Sequence, residues 1–255
     1  VILIKSLVRI DIKPWKIAVH TSKPSPTCQP PSKLNSFREI SSPIDWFKTL
    51  SKLPKLLKLP KGDGRPIVLV PGYLADHLSM WPLQRYLHKM HYNAYHWELG
   101  RNRGKVDQDI VRLGERVMQL SAALDQQPIT LIGWSLGGVL SREVARLYPE
   151  AVREVITLGT PITGGPKYTA VGKRYAKRNN LNLDEFEQQV LARNQIGFRQ
   201  PVTSIFSKTD GVVGWQASVD VYNAHARNIE VNGTHLGLGI NPKVWEIIVN
   251  TLVNS

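Results

Sequence analysis

Gly133-Trp134-Ser135-Leu136-Gly137 sets one serine between two glycines at the point where an apolar run, Ile129–Ile132, gives way to a segment of helical spacing. A hydroxyl on a sharp strand-to-helix turn is pushed out at the end of a sheet, where it can attack an acyl carbon. Such a turn crowds its neighbours, so the positions two before and two after the serine must be nearly free of side chain. Gly133 and Gly137 meet that demand, and Gly138 lets the following helix lie close to the sheet. The N-terminus of that helix adds partial positive charge beneath a developing oxyanion. A serine hydroxyl is a weak nucleophile until a base takes its proton, so the chemistry also needs a histidine and a group to orient it. Seven histidines are available, at positions 20, 77, 88, 91, 96, 225 and 235.

The elements that must position these groups can be read from the periodicity. Pro66–Val70 is a continuous β-rich run, as expected of a strand buried on both faces. Further strands are expected near Ala94–Glu98, at Ile129–Ile132, Glu154–Leu158, Val202–Phe206 and Ile229–Val231. Helical spacing marks Met80–His91, Asp107–Leu124, Leu136–Tyr148 and Lys243–Val253. Strand–helix alternation of this kind implies right-handed crossovers and a mostly parallel sheet flanked by helices, the α/β class.

With the serine turn in that setting, the chain from Arg65 to its end resembles the α/β-hydrolase superfamily, and within it the lipase and esterase branch. The resemblance implies a triad in the order serine, then an acid after a later strand, then a histidine near the C-terminus. His235 fits, in a Gly-containing loop (Asn232-Gly233-Thr234-His235-Leu236-Gly237) after the last strand run. His225 precedes that run and would start at its opposite end. Asp210 directly follows Val202–Phe206, with Asp220 as the second candidate and a turn-capping role as the plain alternative for Asp210. The implied roles are Ser135 as nucleophile, His235 as base and then acid, and Asp210 as the carboxylate that fixes the imidazole tautomer. Two main-chain donors are implied for the oxyanion, the N–H groups of Leu136 and Tyr73, with Gly72 allowing close approach. Related lipases often carry His-Gly where this chain has Pro71-Gly72, a departure that leaves the donor intact because only main chain is used.

After Gly159-Thr160-Pro161 the same family carries a lid insertion, and Ile162–Gln200 occupies that place here. The insert mixes apolar residues with a basic cluster, Lys173, Arg174, Lys177 and Arg178. Two readings stand for it: helices that cover the site and turn a basic face to a membrane or anionic head group, or an ordinary solvated cap. Such inserts are where substrate choice resides.

Composition bounds the rest. With 255 residues, 42% of them hydrophobic and 21% charged, the chain is ordinary globular material long enough to need no staples. Cys28 is its only cysteine, so no internal disulfide is available. No metal-ligand cluster, phosphate loop or dinucleotide fingerprint is present, so neither metal nor cofactor is expected. The net charge of +13 is confined to residues 1–62, with 12 Lys/Arg against 3 Asp/Glu, and 163–200, with 7 against 3. Charge on appendages points to an anionic surface or substrate rather than to nucleic acid.

Residues 1–62 read as a basic, Pro-rich extension of a catalytic domain at 63–255. Val1–Val19 offers an added strand or helical turn, Pro24 to Pro31 an extended linker, and Ile44–Leu59 a basic amphipathic stretch broken at Pro54. That stretch either packs on the domain or lies on anionic lipid through Trp46, Phe47, Leu50, Leu56 and Leu57. No apolar run approaches the roughly 20 residues that span a bilayer, and no basic start with apolar core and cleavage site opens the chain. A cytoplasmic or peripherally membrane-associated place is therefore favoured, although a start at Val1 is also compatible with processing for export. The function expected is hydrolysis of acyl esters, lipidic ones foremost. Acyl transfer with the same triad, thioester or amide hydrolysis, and a catalytically silent lipid-binding module are the alternatives.

Overall fold

Six short runs form one sheet in the structure, a computed structural model that describes residues 27–255. They are β1 (Pro66–Val70), β2 (Asn93–His96), β3 (Ile129–Trp134), β4 (Val152–Leu158), β5 (Val202–Phe206) and β6 (Ala226–Glu230). Their order is β2-β1-β3-β4-β5-β6, and every neighbouring pair is parallel. Central strands β1 and β3 are buried along their whole length, which is why they read as unbroken apolar runs. Edge strand β6 (Ala-Arg-Asn-Ile-Glu) keeps no residue fully buried, so its apolar signal is thin. That explains why the strand lies earlier than the Ile229–Val231 expected for it.

The helices are α1 (Lys33–Arg38), α2 (Ser42–Leu56), α3 (Trp81–Lys89), α4 (Val106–Ala123), α5 (Leu136–Leu147), α6 (Gly172–Asn179), α7 (Leu183–Ile196) and α8 (Pro242–Val253). Strand side chains alternate between the sheet's faces. Ile67 and Leu69 of β1 join the core formed with α3 and α8, while Val68 and Val70 join the core formed with α4 and α5. The result is a three-layer α/β arrangement with both faces of the sheet covered, as the alternation of elements implies. The insert contributes α6 and α7. Arg193 of α7 ties the insert to the helical layer over the sheet, its Nε donating to buried Glu143 of α5 at 2.8 Å.

The extension departs from expectation in one respect. Pro54 does not break the amphipathic stretch, because α2 runs through it to Leu56. Proline there removes the donor to the Leu50 carbonyl, but the last turn is held by Leu57 N–H to Leu53 O at 2.9 Å. Leu56 is 4% exposed, and Leu53, Leu57 and Leu59 pack beside it against the α3/α8 core. Burying a leucine side chain contributes about 1.5–3 kcal/mol, which offsets much of the ~3 kcal/mol that an internal proline costs. Leu56 is therefore a core residue and Leu57 packs against the core, so neither belongs to a lipid-facing set, whereas Phe47 and Leu50 are exposed and the side chain of Trp46 lies outside those described. The expectation for Val1–Val19 and the prolines at 24 and 26 lie outside the described residues. Among the described residues no helix is long and apolar enough to cross a membrane.

Candidate active site

Strand β3 ends and α5 begins at Ser135, whose backbone sits at φ 55°, ψ −121°. A non-glycine residue held there is strained by about 1–3 kcal/mol, and the surroundings must over-determine it. They do. The Ser135 N–H donates to Leu158 O at 2.8 Å. A Cβ on Gly133 would lie 2.4 Å from the Gly138 Cα, and one on Gly137 would lie 2.2 Å from the Val70 carbonyl oxygen. Both flanking glycines are thus fixed by close backbone approach, as the spacing requires.

The loop after β1 brings Gly72 against the serine, so that a Cβ there would stand 3.3 Å from Ser135 Cβ. This places the neighbouring Tyr73 main chain beside Ser135. Leu136 opens α5, where the first N–H groups have no intrahelical acceptor. Asn102 locks the β1 loop. Fully buried, it donates from Nδ2 to Pro71 O at 2.9 Å, accepts the Leu74 N–H at 2.7 Å on its carbonyl, and gives its own N–H to Ala75 O at 2.8 Å. Sequence reasoning does not single out Asn102, since an asparagine in a loop carries no periodic signal.

Asp210 and His235 come together as expected. The imidazole Nδ1 lies 2.7 Å from Asp210 Oδ2, and both side chains are almost fully buried. The second oxygen, Oδ1, accepts the N–H groups of Val212 at 2.8 Å and Val213 at 2.7 Å, which fixes the carboxylate plane. Asp220, the second candidate, is committed elsewhere, to buried Arg142 at 2.5 Å and to Asn223 Nδ2 at 2.7 Å. His225 is exposed. His235 and Ser135 line the same cavity. No hydrogen bond between them is present in this conformation, as is common before substrate tightens such contacts.

A residue of the extension completes the arrangement. Glu39, in the 3-10 turn Glu39–Ser41 after α1, accepts the N–H groups of Gly211 at 2.8 Å, His235 at 2.8 Å and Leu236 at 2.9 Å. One carboxylate thereby pins both the Asp210 loop and the His235 loop. Asn35 and Ser36 add bonds to Lys208 O and Gly211 O. Far from being only a linker, this part of the extension sits on the loops that carry Asp210 and His235. The sole signal in the sequence is that Glu39 is one of three acidic residues in a strongly basic stretch.

Burial alone would push the His235 imidazole down. The charge and hydrogen bond of Asp210, joined by the charge of Glu39, outweigh it and hold the group above its ordinary 6.5. An imidazole acting here as a base must be neutral, so that role predicts activity rising with pH through a midpoint on the alkaline side of 6.5. Glu39→Gln removes one of the charges favouring the imidazolium, so the midpoint should move to lower pH. It should also weaken the loop anchorage by about 1–3 kcal/mol. A pH–rate profile of both proteins checks this, and an unmoved midpoint would show that the Glu39 charge does not reach the imidazole.

Two cavities meet at Ser135. An inner chamber of about 80 Å³ runs beneath the cap and is lined largely by apolar side chains such as Leu136, Val139, Ile162, Phe186 and Val190. An outer cavity of about 290 Å³ is lined by Leu74, Arg174, Arg178, His235 and Leu236 among others. Among the described residues no cluster of His, Cys, Asp and Glu could hold a metal ion.

A family model described as alpha/beta hydrolase fold matches residues 65–198. The chain belongs to this family. Solved structures give the same fold at low identity. A lipase-esterase related protein from Clostridium acetobutylicum is 20% identical, with TM-score 0.56, over 74% of this chain and 96% of that one. Alpha/beta hydrolase domain-containing protein 10 from mouse is 19% identical, with TM-score 0.53, over 76% and 90%. Naproxen esterase from Bacillus subtilis is 13% identical, with TM-score 0.53, over 82% and 98%. Within this α/β hydrolase the matched segment holds the serine turn and the cap, while Asp210, His235 and Glu39 lie beyond it.

Proposed function

We propose that this α/β hydrolase is a serine carboxylic-ester hydrolase acting through Ser135, His235 and Asp210. The observation that carries the reading is Ser135, strained at the start of α5, sharing a cavity with an imidazole whose Nδ1 is held by Asp210 at 2.7 Å. With Nδ1 engaged, Nε2 is the nitrogen that exchanges protons. Ser135 Oγ attacks the acyl carbon as its proton passes to Nε2, and the carbonyl oxygen becomes an oxyanion facing the N–H groups of Tyr73 and Leu136. Collapse breaks the acyl C–O bond, and His235 returns the proton to the departing alcohol. Water then attacks the acyl-enzyme, with His235 again as base, releasing the acid and restoring the serine.

The apolar lining of the inner chamber supports an acyl group of lipidic character. Exposed Phe47 and Leu50 on the basic α2 support a peripheral contact with anionic lipid as part of the same reading. A panel of p-nitrophenyl esters from acetate to palmitate, with and without an added alcohol acceptor, tests it. Turnover without acceptor is the expected result. Products formed only with acceptor would replace hydrolysis by acyl transfer.

A further inference from the structure

The two cavities at Ser135 differ in what they present to a substrate. His235 lines the outer one and not the inner one. Because the histidine hands its proton to the leaving alcohol, that alcohol must sit on the side of the imidazole. The alcohol half of an ester therefore occupies the outer cavity, and the acyl half the apolar chamber beneath the cap. The outer lining contains two guanidinium groups, Arg174 and Arg178, and no carboxylate.

Both arginines belong to α6 and lie four residues apart, hence on one face of the helix. Tyr175 seats that helix over the site. Its ring meets the Tyr73 ring edge-on at 5.5 Å, and its hydroxyl donates to Gly104 O at 2.9 Å. Three other cations of the insert are paired: Lys167 with Asp184 and Glu187, Arg193 with Glu143, and Arg199 with Glu150. Arg174 and Arg178 are exposed, and among the described residues neither forms an ion pair. Two unneutralised forks beside an apolar wall suit the planar oxygens of a carboxylate or phosphate.

We propose that Arg174 and Arg178 recognise an anionic group on the alcohol half of the substrate, so that the preferred ester carries a carboxylate or phosphate on its leaving alcohol. This rests on Ser135 being the nucleophile and His235 the proton donor. Lys173 and Lys177 lie on the same helix but line neither cavity, which separates a local site from the general charge of the cap.

The test compares 4-carboxyphenyl butyrate with its uncharged isostere, 4-carbamoylphenyl butyrate, at low ionic strength. Taking the ratio of kcat/KM for the two esters within each protein, and comparing proteins, cancels their intrinsic reactivities. The ratio should fall by about tenfold in Arg174→Gln/Arg178→Gln, the scale of two exposed ion pairs. It should stay at the wild-type value in Lys173→Gln/Lys177→Gln, which loses the same charge. An unchanged ratio in the arginine variant, or an equal fall in both variants, overturns the proposal. Binding of 4-hydroxybenzoate and of phenyl phosphate, followed by calorimetry, reads the contact without turnover and separates carboxylate from phosphate. If neither ester is cleaved, the hydrolase reading fails. Binding of either anion that is lost in the arginine variant alone would still establish the site, and binding of neither would refute it.

Discussion

Ser135→Ala should abolish ester turnover, by about 10⁴-fold or more in kcat, while leaving the protein folded. The loss follows from the chemistry: without Oγ no acyl-enzyme forms, and the surrounding donors can only polarise a carbonyl toward water. The fold should survive because the hydroxyl has no hydrogen-bond partner among the described residues, so removing it orphans nothing. Alanine and serine share the same intolerance of φ 55°, so the backbone strain is retained. Ser135→Gly should behave differently, since glycine adopts that conformation without penalty. It should be equally inactive yet stabilised by about 1–3 kcal/mol, the strain being relieved. A serine-directed phosphonate should label wild type at Ser135 and fail on both variants, with urea unfolding reporting stability. Full activity in the alanine variant, or labelling at another serine, would remove Ser135 from the mechanism.

The parts of this site that sequence reveals are those that depend on local backbone. The turn at Ser135 needs glycine on both sides because Val70 O and Gly138 Cα approach so closely, and that demand is written in five consecutive residues. Strands β1 and β5 match the expected Pro66–Val70 and Val202–Phe206 because burial on both faces leaves an unbroken apolar run. Asp210 and His235 are the residues that match the triad order implied by the family resemblance, once the serine turn is placed. What is not legible depends on contacts far apart in the chain. Glu39 bonds to Gly211 and to His235 and Leu236, more than 170 positions away. Nothing near Glu39 announces this: it follows a six-residue helix whose only strong local signal is the Ser32 cap. Pro54 misleads for the opposite reason. A local rule ends the helix there, and tertiary burial of Leu53, Leu56 and Leu57 prevails. Likewise Arg174 and Arg178 read in sequence only as members of a basic cluster of four. Which pair faces the serine is decided by the seating of Tyr175.

Asp210→Asn should lower kcat by about 10⁴-fold with little change in KM, because the substitution keeps the shape of the site and reverses one dipole. In the native protein one carboxylate oxygen accepts two main-chain N–H groups, from Val212 and Val213, and the other accepts Nδ1–H of His235. An asparagine has only one acceptor oxygen. The two main-chain donors will claim it, which turns the amide NH₂ toward Nδ1. That nitrogen must then accept, so the imidazole carries its proton on Nε2 and cannot take one from Ser135. The stabilising charge beside the imidazolium is lost as well, so its formation in the transition state is opposed twice over. Asp220→Asn is the control, with the opposite signature. It should leave kcat near the wild-type value but strip buried Arg142 of its partner, a loss of about 3–5 kcal/mol in unfolding free energy. Steady-state kinetics and urea denaturation of the two variants separate the roles. If Asp210→Asn kept near-normal rates while Asp220→Asn lost them, the orienting carboxylate would be Asp220, and the 2.7 Å contact between Asp210 and His235 would be purely structural.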